Sequence, residues 1–318
     1  MMPEPRGQEL VERYKKNYHI SPEAEITEEM VLSHWELEKR LTGEILESSR
    51  ENRWEVTDRC YTELYSRLDW LNKYCNTTDS LPEEKKFHRW SSLLGKAPLS
   101  VYEIGSGKGE LISFLAKSGH RCKGTEITRE RGKKYTLEGS NLSWGTSDGV
   151  HLEGFEEANS FDVVISSQVV EHLHPDDLGE HLANVRGILK EGGHYLLTTP
   201  HGYIGPGDIS AVFKRERTMG MHLKEYTFRE MREALKKAGF REVMAVWSLI
   251  PQGICRTLGV SINPRRSRLY LSYLCFLEGF LGRIPSQSVR RVVSLLAVGL
   301  FFEPFIFLVA EKRPSLRA

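Results

Sequence analysis

The ten residues Val101–Glu110, VYEIGSGKGE, decide the fold of this chain. The apolar run Leu99–Ile104 is typical of a buried strand, and three glycines follow it at alternate positions. The apolar residues after the glycines fall on one helical face: Leu111, Ile112, Phe114 and Leu115. A glycine turn between a strand and a helix lets backbone N–H groups approach a ligand, because a Cβ atom would block the approach. The stretch therefore predicts an α/β protein with a ligand site at this turn.

The spacing of the glycines separates two kinds of nucleotide-binding turn. A dinucleotide site reads G-x-G-x-x-G, whereas this chain reads Glu103-x-Gly105-x-Gly107-x-Gly109. The pattern disfavours an NAD enzyme and resembles the first motif of class I S-adenosylmethionine (SAM) dependent methyltransferases. The resemblance implies that the glycines bring backbone to the methionine and ribose of SAM and that Glu103 orients the loop. On this stretch alone, a strand-to-helix turn of another α/β protein stays an alternative.

Length and composition set broad limits. At 318 residues we expect one large domain, or one domain with an extension. The net charge of +1 at pH 7 favours no strongly charged partner. Five scattered cysteines without a C-x-x-C pair argue against a zinc site and a disulfide framework. Residues 1–13 are polar and show no secretory signal, so we expect a cytoplasmic protein.

Two acidic residues downstream fit a bound nucleoside. Glu126 ends a second predicted strand, Arg121–Glu126, and a carboxylate there can accept hydrogen bonds from both ribose hydroxyls. A short third strand, Leu142–Gly145, leads to Asp148 and Gly149. In the methyltransferases that the chain resembles, an aspartate at this place binds the adenine amino group. A surface glutamate and a turn aspartate are the structural alternatives.

The most specific resemblance lies in the middle of the chain. A fourth strand, Phe161–Ser166, precedes the run SQVVEHL of residues 167–173, a helix and a fifth strand, His194–Thr199. Over about residues 99–200, these segments resemble segments of the same family and occur in the same order. The chain resembles the small-molecule type of this family and is similar to the methyltransferases of ubiquinone biosynthesis. The resemblance implies a doubly wound, seven-stranded Rossmann-like sheet with SAM across its carboxyl edge. Gln168 would then face the methionine end or the substrate.

The flanks of this core predict helices. Residues 1–97 are expected to form a helical extension, with residues 1–20 frayed or partly helical, a helix start at Ser21-Pro22-Glu23 and another helix after Pro82. Aromatic residues recur between positions 26 and 74, and they either pack this layer onto the core or roof the site as a lid: Trp35, Trp54, Tyr61, Tyr65, Trp70 and Tyr74.

The core is expected to cover residues 98–250 and 304–313. Thr227 and Glu230 form a capping box that starts a helix, and a sixth strand follows at Phe240–Leu249. The resemblance implies a seventh strand that pairs antiparallel with the sixth, and the segment Phe305–Ala310 is the candidate for it.

Between these strands, residues 251–303 form an apolar and basic insert. Before its end the insert contains one acidic residue, Glu278, and seven arginines: Arg256, Arg265, Arg266, Arg268, Arg283, Arg290 and Arg291. The insert either caps the pocket as a set of helices or makes a peripheral contact with an anionic membrane or a lipid-linked substrate. The stretch Val292–Ala310 is apolar enough to suggest a membrane-spanning helix, but Glu303-Pro304 and the strand expected at its end argue against one.

Three histidines are candidates for a catalytic base: His222, which we favour, His201 and His172. Each lies in a loop region at the functional edge of the predicted sheet, and histidine titrates near neutral pH. A base is needed when the acceptor is a hydroxyl that must lose its proton. We expect no metal ligand, although Gln168-x-x-Glu171-His172 with the distant His222 resembles the metal pattern of small-RNA 2′-O-methyltransferases, in which a glutamate stands at the first position.

The functional expectation is a SAM-dependent methyltransferase acting on a small molecule or on a lipid- or sugar-linked acceptor, with a hydroxyl as the expected acceptor group. A metal-assisted RNA 2′-O-methyltransferase and a non-catalytic SAM-binding protein are the alternatives. The one dense basic stretch is also apolar, which fits nucleic acid poorly. No obligate protein partner is evident.

Overall fold

The computed structural model describes residues 4–75, 82–128, 139–247, 263–297 and 305–313. Ten helices of a full turn or more lie in these ranges: α1 Gly7–Asn17, α2 Glu28–Leu46, α3 Arg53–Arg67, α4 Asp69–Cys75, α5 Glu83–Leu94, α6 Glu110–Lys117, α7 Leu178–Ile188, α8 Phe228–Lys237, α9 Arg268–Leu281 and α10 Gln287–Ala297. Eight strands lie in them as well: β1 Ser100–Ile104, β2 Arg121–Glu126, β3 Leu142–Thr146, β4 Phe161–Ser167, β5 Leu189–Pro200, β6 Glu242–Trp247, β7 Arg265–Ser267 and β8 Phe305–Glu311.

The strands form one mixed sheet in the order β3-β2-β1-β4-β5-β8-β6-β7. Strands β1 to β5 pair in parallel, and β8 lies antiparallel between β5 and β6. The doubly wound α/β fold and the antiparallel last strand are thus confirmed. The eighth strand is the three-residue β7 at the edge of the sheet, which belongs to the insert and pairs with β6.

Alternation along the strands builds a core on each face of the sheet. In β1, Tyr102 and Ile104 belong to one buried cluster, packed with residues of α7, α8 and α9. Val101 belongs to the opposite cluster, packed with residues of α5 and α6. Because β1, β2 and β4 run parallel, their carboxyl ends lie at one edge of the sheet, and the glycine turn lies there.

The N-terminal helices differ in detail from the expectation. The second helix begins at Glu28 with Thr27 as its cap, so the start predicted at Ser21-Pro22-Glu23 is wrong. Helix α1 lies within residues 1–20, which agrees with the partly helical alternative, and it is stable because Leu10 and Tyr14 are completely buried against α2 and the loop before α8. The helix start after Pro82 and the capping box of Thr227 are confirmed.

The described part of the insert contains the short strand β7 and two helices, α9 and α10. Arg256, and the residues of the insert at 251–262 and 298–303, lie outside the described residues, as do the last two positions of the sixth strand predicted to Leu249. None of the helices in the described ranges combines the length and apolar character that crossing a membrane requires.

Candidate active site

A cavity of about 250 Å³ opens at the carboxyl ends of β1, β2 and β4. Six of the eight residues predicted to bind SAM line it: Gly105, Gly107, Glu126, Asp148, Gly149 and Gln168. The other two, Glu103 and Gly109, lie just outside its wall. The topology therefore brings together residues that are spread over more than sixty positions of the sequence.

The glycine loop leaves space where side chains would stand. Gly105 and Gly107 have φ angles of +64° and +59°, a left-handed backbone that favours glycine. A Cβ added to Gly107 would meet no protein atom within 4 Å, so that side of the loop faces open space. The Gly107 N–H donates to the carboxylate of Glu126, which joins the loop to the end of β2. This pairing places the acid predicted for the ribose directly beside the loop.

Glu103 supports the loop from beneath and is not part of the cavity wall. Its side chain is buried, and burial raises the pKa of the carboxyl group to about 8. Its main-chain oxygen accepts hydrogen bonds from the hydroxyls of Ser106 at 3.2 Å and Thr125 at 3.1 Å. Gly109 is the N-cap of α6. These contacts give both residues a structural place in the loop, and their part in holding SAM stays a prediction.

Asp148 closes the turn after β3 and also lines the cavity, and its contact with adenine stays a prediction. One carboxylate oxygen accepts from the N–H groups of Val150 at 2.8 Å and His151 at 2.9 Å, which closes the turn after β3. The other oxygen meets the ring of His151. The same residue lines the cavity, so the turn fixes its carboxylate at the place predicted for adenine.

Gln168 is held in a constrained position at the end of β4. Its φ angle of +58° is uncommon for a residue with a side chain. Its N–H donates to the carbonyl of Thr198 at 2.9 Å, and its amide nitrogen lies 3.3 Å from the Thr198 hydroxyl. Contacts with β5 thus direct this residue toward the cavity.

Helix α3 supplies one wall of the cavity through Thr57, Tyr61 and Tyr65. The aromatic residues of the extension were expected either to pack onto the core or to cover the site as a lid, and members of the set do each. Tyr61 and Tyr65 border the site, whereas Trp35 stacks on Phe213 away from it. The Tyr61 hydroxyl is buried without a hydrogen-bond partner among the described residues, and burial raises its pKa. A buried, unpaired hydroxyl at a cavity wall is available to a bound ligand.

His172 is the histidine of the three candidates that lines the cavity. Its Nδ1 lies 2.9 Å from the carbonyl oxygen of Met221 and must carry the hydrogen, because a carbonyl only accepts. The N–H of the same Met221 donates to buried Glu38 at 3.0 Å. Burial, together with the nearby His222, lowers the pKa of His172 to about 3. The ring is therefore neutral, with Nε2 as its hydrogen-bond acceptor.

His222 lies beside His172, with ring centroids 4.9 Å apart. Its Nδ1 donates to Glu225 at 2.8 Å. Burial lowers the pKa of this ring, but the hydrogen bond to Glu225 and the charges of Glu171 and Asp208 outweigh it and raise the pKa to about 8. His222 is therefore the charged member of the pair at neutral pH, and it lies behind the cavity wall.

Glu171, His172 and His222 form a cluster that could hold a metal ion, since their ligand atoms lie within 4.8 Å of one another. The other ring nitrogen of each histidine is already bonded, to Met221 and to Glu225, as is usual for metal-binding histidines. One oxygen of Glu171 accepts from Thr199 at 2.9 Å, and the other is buried with no partner among the described residues. Burial raises the pKa of this carboxyl group to about 7.

His201 follows β5 directly, as expected, but its ring does not line the cavity, and its role as a base stays a prediction that its contacts do not support. It is completely buried, and its Nε2 donates to Glu278 of α9 at 2.7 Å. Its Nδ1 accepts from the N–H of Tyr203 at 3.1 Å. The same Glu278 accepts from the first N–H groups of α8, at Phe228 and Arg229. Both ring nitrogens are thus occupied away from the cavity.

Three acidic residues that hold the histidines or their neighbours in place were not predicted from the sequence: Glu225, Glu38 and Glu278. Glu225 could have been found, because it lies three residues after His222. Glu38 and Glu278 could not, since they come from segments about 180 and 75 residues away from the residues they contact.

A family model described as a methyltransferase domain matches residues 80–245, more than half of the chain. The chain therefore belongs to the methyltransferase-domain family, and it is a class I SAM-dependent methyltransferase with SAM as its cofactor. No curated protein sequence matches it significantly.

Solved structures share the fold at low sequence identity. Phosphoethanolamine N-methyltransferase 2 of Haemonchus contortus is 17% identical over 79% of this chain and 58% of that chain, with a TM-score of 0.50. A SAM-dependent methyltransferase of Thermotoga maritima, titled a possible histamine N-methyltransferase, is 16% identical over 82% and 99%, with a TM-score of 0.48. A SAM-dependent methyltransferase of Archaeoglobus fulgidus is 20% identical over 71% and 91%, with a TM-score of 0.46.

Proposed function

We propose that this enzyme transfers the methyl group of SAM to a hydroxyl of a small molecule or of a lipid- or sugar-linked acceptor. The observation that carries the proposal is one shared cavity. Gly107, Glu126 and Asp148 border one part of it, and His172 borders it as well. SAM bound over the glycine loop would leave its sulfonium within reach of an acceptor beside His172.

Methyl transfer from a sulfonium is an in-line displacement by an activated donor. The main task of the protein is to align the nucleophile, the methyl group and the sulfur away from water. In this proposal the acceptor hydroxyl donates to Nε2 of His172 and passes its proton there as the new bond forms. A ring with a pKa of about 3 is too weak a base to remove the proton beforehand, but it accepts the much more acidic proton of the oxygen that is being methylated. The charged His222 and the carboxylate of Glu225 lie directly behind and fix the orientation of the pair.

The test compares SAM binding with turnover in matched variants. His172→Asn should keep SAM affinity within about two-fold, because the side chain does not belong to the nucleoside end, and should lower turnover by about 10²–10⁴-fold. His19→Asn, an exposed histidine on the N-terminal segment, is the control. Calorimetry with S-adenosylhomocysteine and labelled SAM incubated with metabolite and lipid fractions provide the two measurements. Full turnover in His172→Asn would exclude this residue as the proton acceptor.

A divalent cation at Glu171, His172 and His222 is a second candidate, favoured by the compact ligand set and its bonded outer nitrogens. The residues fit such an ion, which would polarise the acceptor hydroxyl in place of a base. Gln168 stands where the small-RNA methyltransferases have a further carboxylate, and this weakens a hard-cation site. We infer that any such ion is bound through two imidazoles and one carboxylate.

Cobalt titration followed by visible absorption tests this second candidate. A one-to-one spectral change that is lost in His222→Asn and kept in His19→Asn would support the site. Unchanged turnover after dialysis against a chelator, with no cobalt spectrum, would remove the metal and leave the histidine proposal in place.

A further inference from the structure

The exposed apolar surface of the described chain is concentrated in the insert. Nine of the thirteen large apolar residues that are exposed in the described ranges lie in the insert, between Leu269 and Leu296. Single exposed apolar residues are normal, whereas a concentration of this kind marks an interaction surface. The insert therefore needs an explanation beyond capping the pocket.

Helix α9 has two apolar faces with different surroundings. Leu271, Leu274 and their neighbours are buried against the core. The other face follows helical spacing and points to solvent: Leu269 at 84% exposure, Tyr273 at 39%, Phe276 at 61% and Phe280 at 51%. A helix that is apolar on both sides of a monomer has a second surface to bury.

Helix α10 repeats this arrangement. Four of its five exposed apolar residues follow helical spacing: Val289, Val292, Val293 and Leu296, the last exposed by 74%. The fifth, Leu295, lies to one side of this stripe. The helix is amphipathic, and its apolar residues are the exposed ones. Ser294, by contrast, is completely buried.

Positive charge borders these apolar faces. Residues 263–297 contain six arginines and one acid, Glu278, which is buried and bonded to His201. Arg265, Arg266 and Arg283 are exposed. Arg268 pairs with Glu242. Within residues 263–297 the exposed apolar faces are accompanied by arginines and by no exposed acid, and the exposed Glu216 hydrogen-bonds to Gln287 and Ser288 at the start of α10. This combination matches an anionic lipid surface, whose headgroups attract the cations while the acyl region accepts the apolar side chains.

We infer that α9 and α10 dock this enzyme peripherally on an anionic membrane. The same helices contact the loop that leads to the site: Glu278 bonds His201, and the Arg290 guanidinium lies 4.9 Å from the ring centre of Tyr203. Docking would thus bring the loop of residues 201–225 close to the lipid surface. The inference deepens the proposed lipid-linked acceptor, but it stands on the surface of the insert and not on the chemistry of the site.

The experiment measures binding of the full chain to vesicles by flotation. Vesicles of phosphatidylcholine mixed with phosphatidylglycerol are compared with phosphatidylcholine alone. We expect binding to the anionic vesicles that weakens with salt. Arg265→Gln combined with Arg266→Gln should reduce it on the order of 25-fold, at about five-fold per cation. Phe276→Asp with Leu296→Asp should reduce it to background.

Two control variants separate this surface from general effects of charge and exposure. Arg121→Gln removes an exposed arginine at the start of β2, near the opposite edge of the sheet from β7, and Leu46→Asp changes an exposed apolar residue on α2. Both should bind vesicles like the unchanged chain. S-adenosylhomocysteine binding in every variant reports folding and the proposed site independently.

Three outcomes would overturn the inference. They are equal binding to neutral and anionic vesicles, equal losses in the control variants, and self-association without vesicle binding. In the last case, light scattering would show a dimer that Phe276→Asp with Leu296→Asp converts to a monomer. Vesicle binding without any methyl transfer to lipid would keep the inference and count against the lipid-linked acceptor alone.

Discussion

Two glycines of the same loop are expected to respond to alanine in different ways. At Gly107 an added Cβ meets no protein atom within 4 Å, so the methyl group extends into the space assigned to SAM. At Gly105 it would lie 2.7 Å from Cγ2 of Val169, a contact that forces the protein itself to move. Gly107→Ala therefore tests the ligand, and Gly105→Ala tests the fold.

The magnitudes follow from these contacts. Both substitutions place a side chain on left-handed backbone, which costs about 1–2 kcal/mol of folding free energy. Gly105→Ala adds an overpacking cost of about 1–3 kcal/mol, whereas Gly107→Ala adds none. With SAM bound, the methyl group at Gly107 meets ligand atoms instead, and a similar overpacking cost weakens affinity by about 5- to 150-fold.

Urea denaturation and calorimetry with S-adenosylhomocysteine measure the two effects separately. Gly107→Ala should be the more stable variant and should show a clear loss of affinity, and Gly107→Val should bind no measurable ligand. Unchanged affinity in folded Gly107→Ala would refute the placement of SAM over this loop. The roles predicted for Glu126 and Asp148 depend on the same placement.

Three further predictions concern buried acids. Glu278→Ala should cost on the order of 3–5 kcal/mol in urea denaturation, because its buried donors lose their acceptor, while ligand affinity per folded molecule stays unchanged; a selective loss of turnover would instead return His201 to the site. Glu38→Ala should lower turnover by about 10-fold or more at unchanged SAM affinity per folded molecule, because the Met221 N–H loses its acceptor and Met221 then orients His172 less well; equal turnover would show that this bond is only structural. Glu103 has a folded-state pKa of about 8, so its burial costs nothing below the unfolded pKa near 4.5 and destabilises increasingly as pH rises between the two values. The stability of Glu103→Gln relative to the unchanged chain should therefore improve from pH 5 to pH 8, and a constant difference would contradict the burial argument.

The sequence predicted the central sheet well because its signals are local. The apolar run of β1, the glycines after it and the acid that ends β2 are each read within a few residues, and parallel topology brings their carboxyl ends together. The antiparallel pairing of β8 with β6, by contrast, was predicted from the family resemblance and not from a local signal. The short β7 went unpredicted, because two exposed arginines in a strand of three residues carry no periodic pattern.

The histidines show where local reading stops. His172, His201 and His222 look alike in sequence, each in a loop after a predicted strand. Their roles depend on partners supplied by distant segments: the Met221 carbonyl for His172 and Glu278 for His201. Periodicity contains no information about such long-range pairs, and neither the burial of His201 nor the charge of His222 could be predicted.

The position of β8 has a consequence for the order in which this protein can assemble. The strand lies inside the sheet, between β5 and β6, yet the ribosome makes it after every other described strand. Over a hundred residues separate it from its neighbour β5. Before β8 is synthesised, β6 cannot join the sheet beside the parallel strands, and the backbone groups of β5 that pair with β8 remain unpaired. During synthesis from the N-terminus, the sheet is therefore completed last, by the non-local pairing of β8 with β5 and β6. Contacts of this kind slow folding and lengthen the time in which an unpaired strand edge can bind a chaperone.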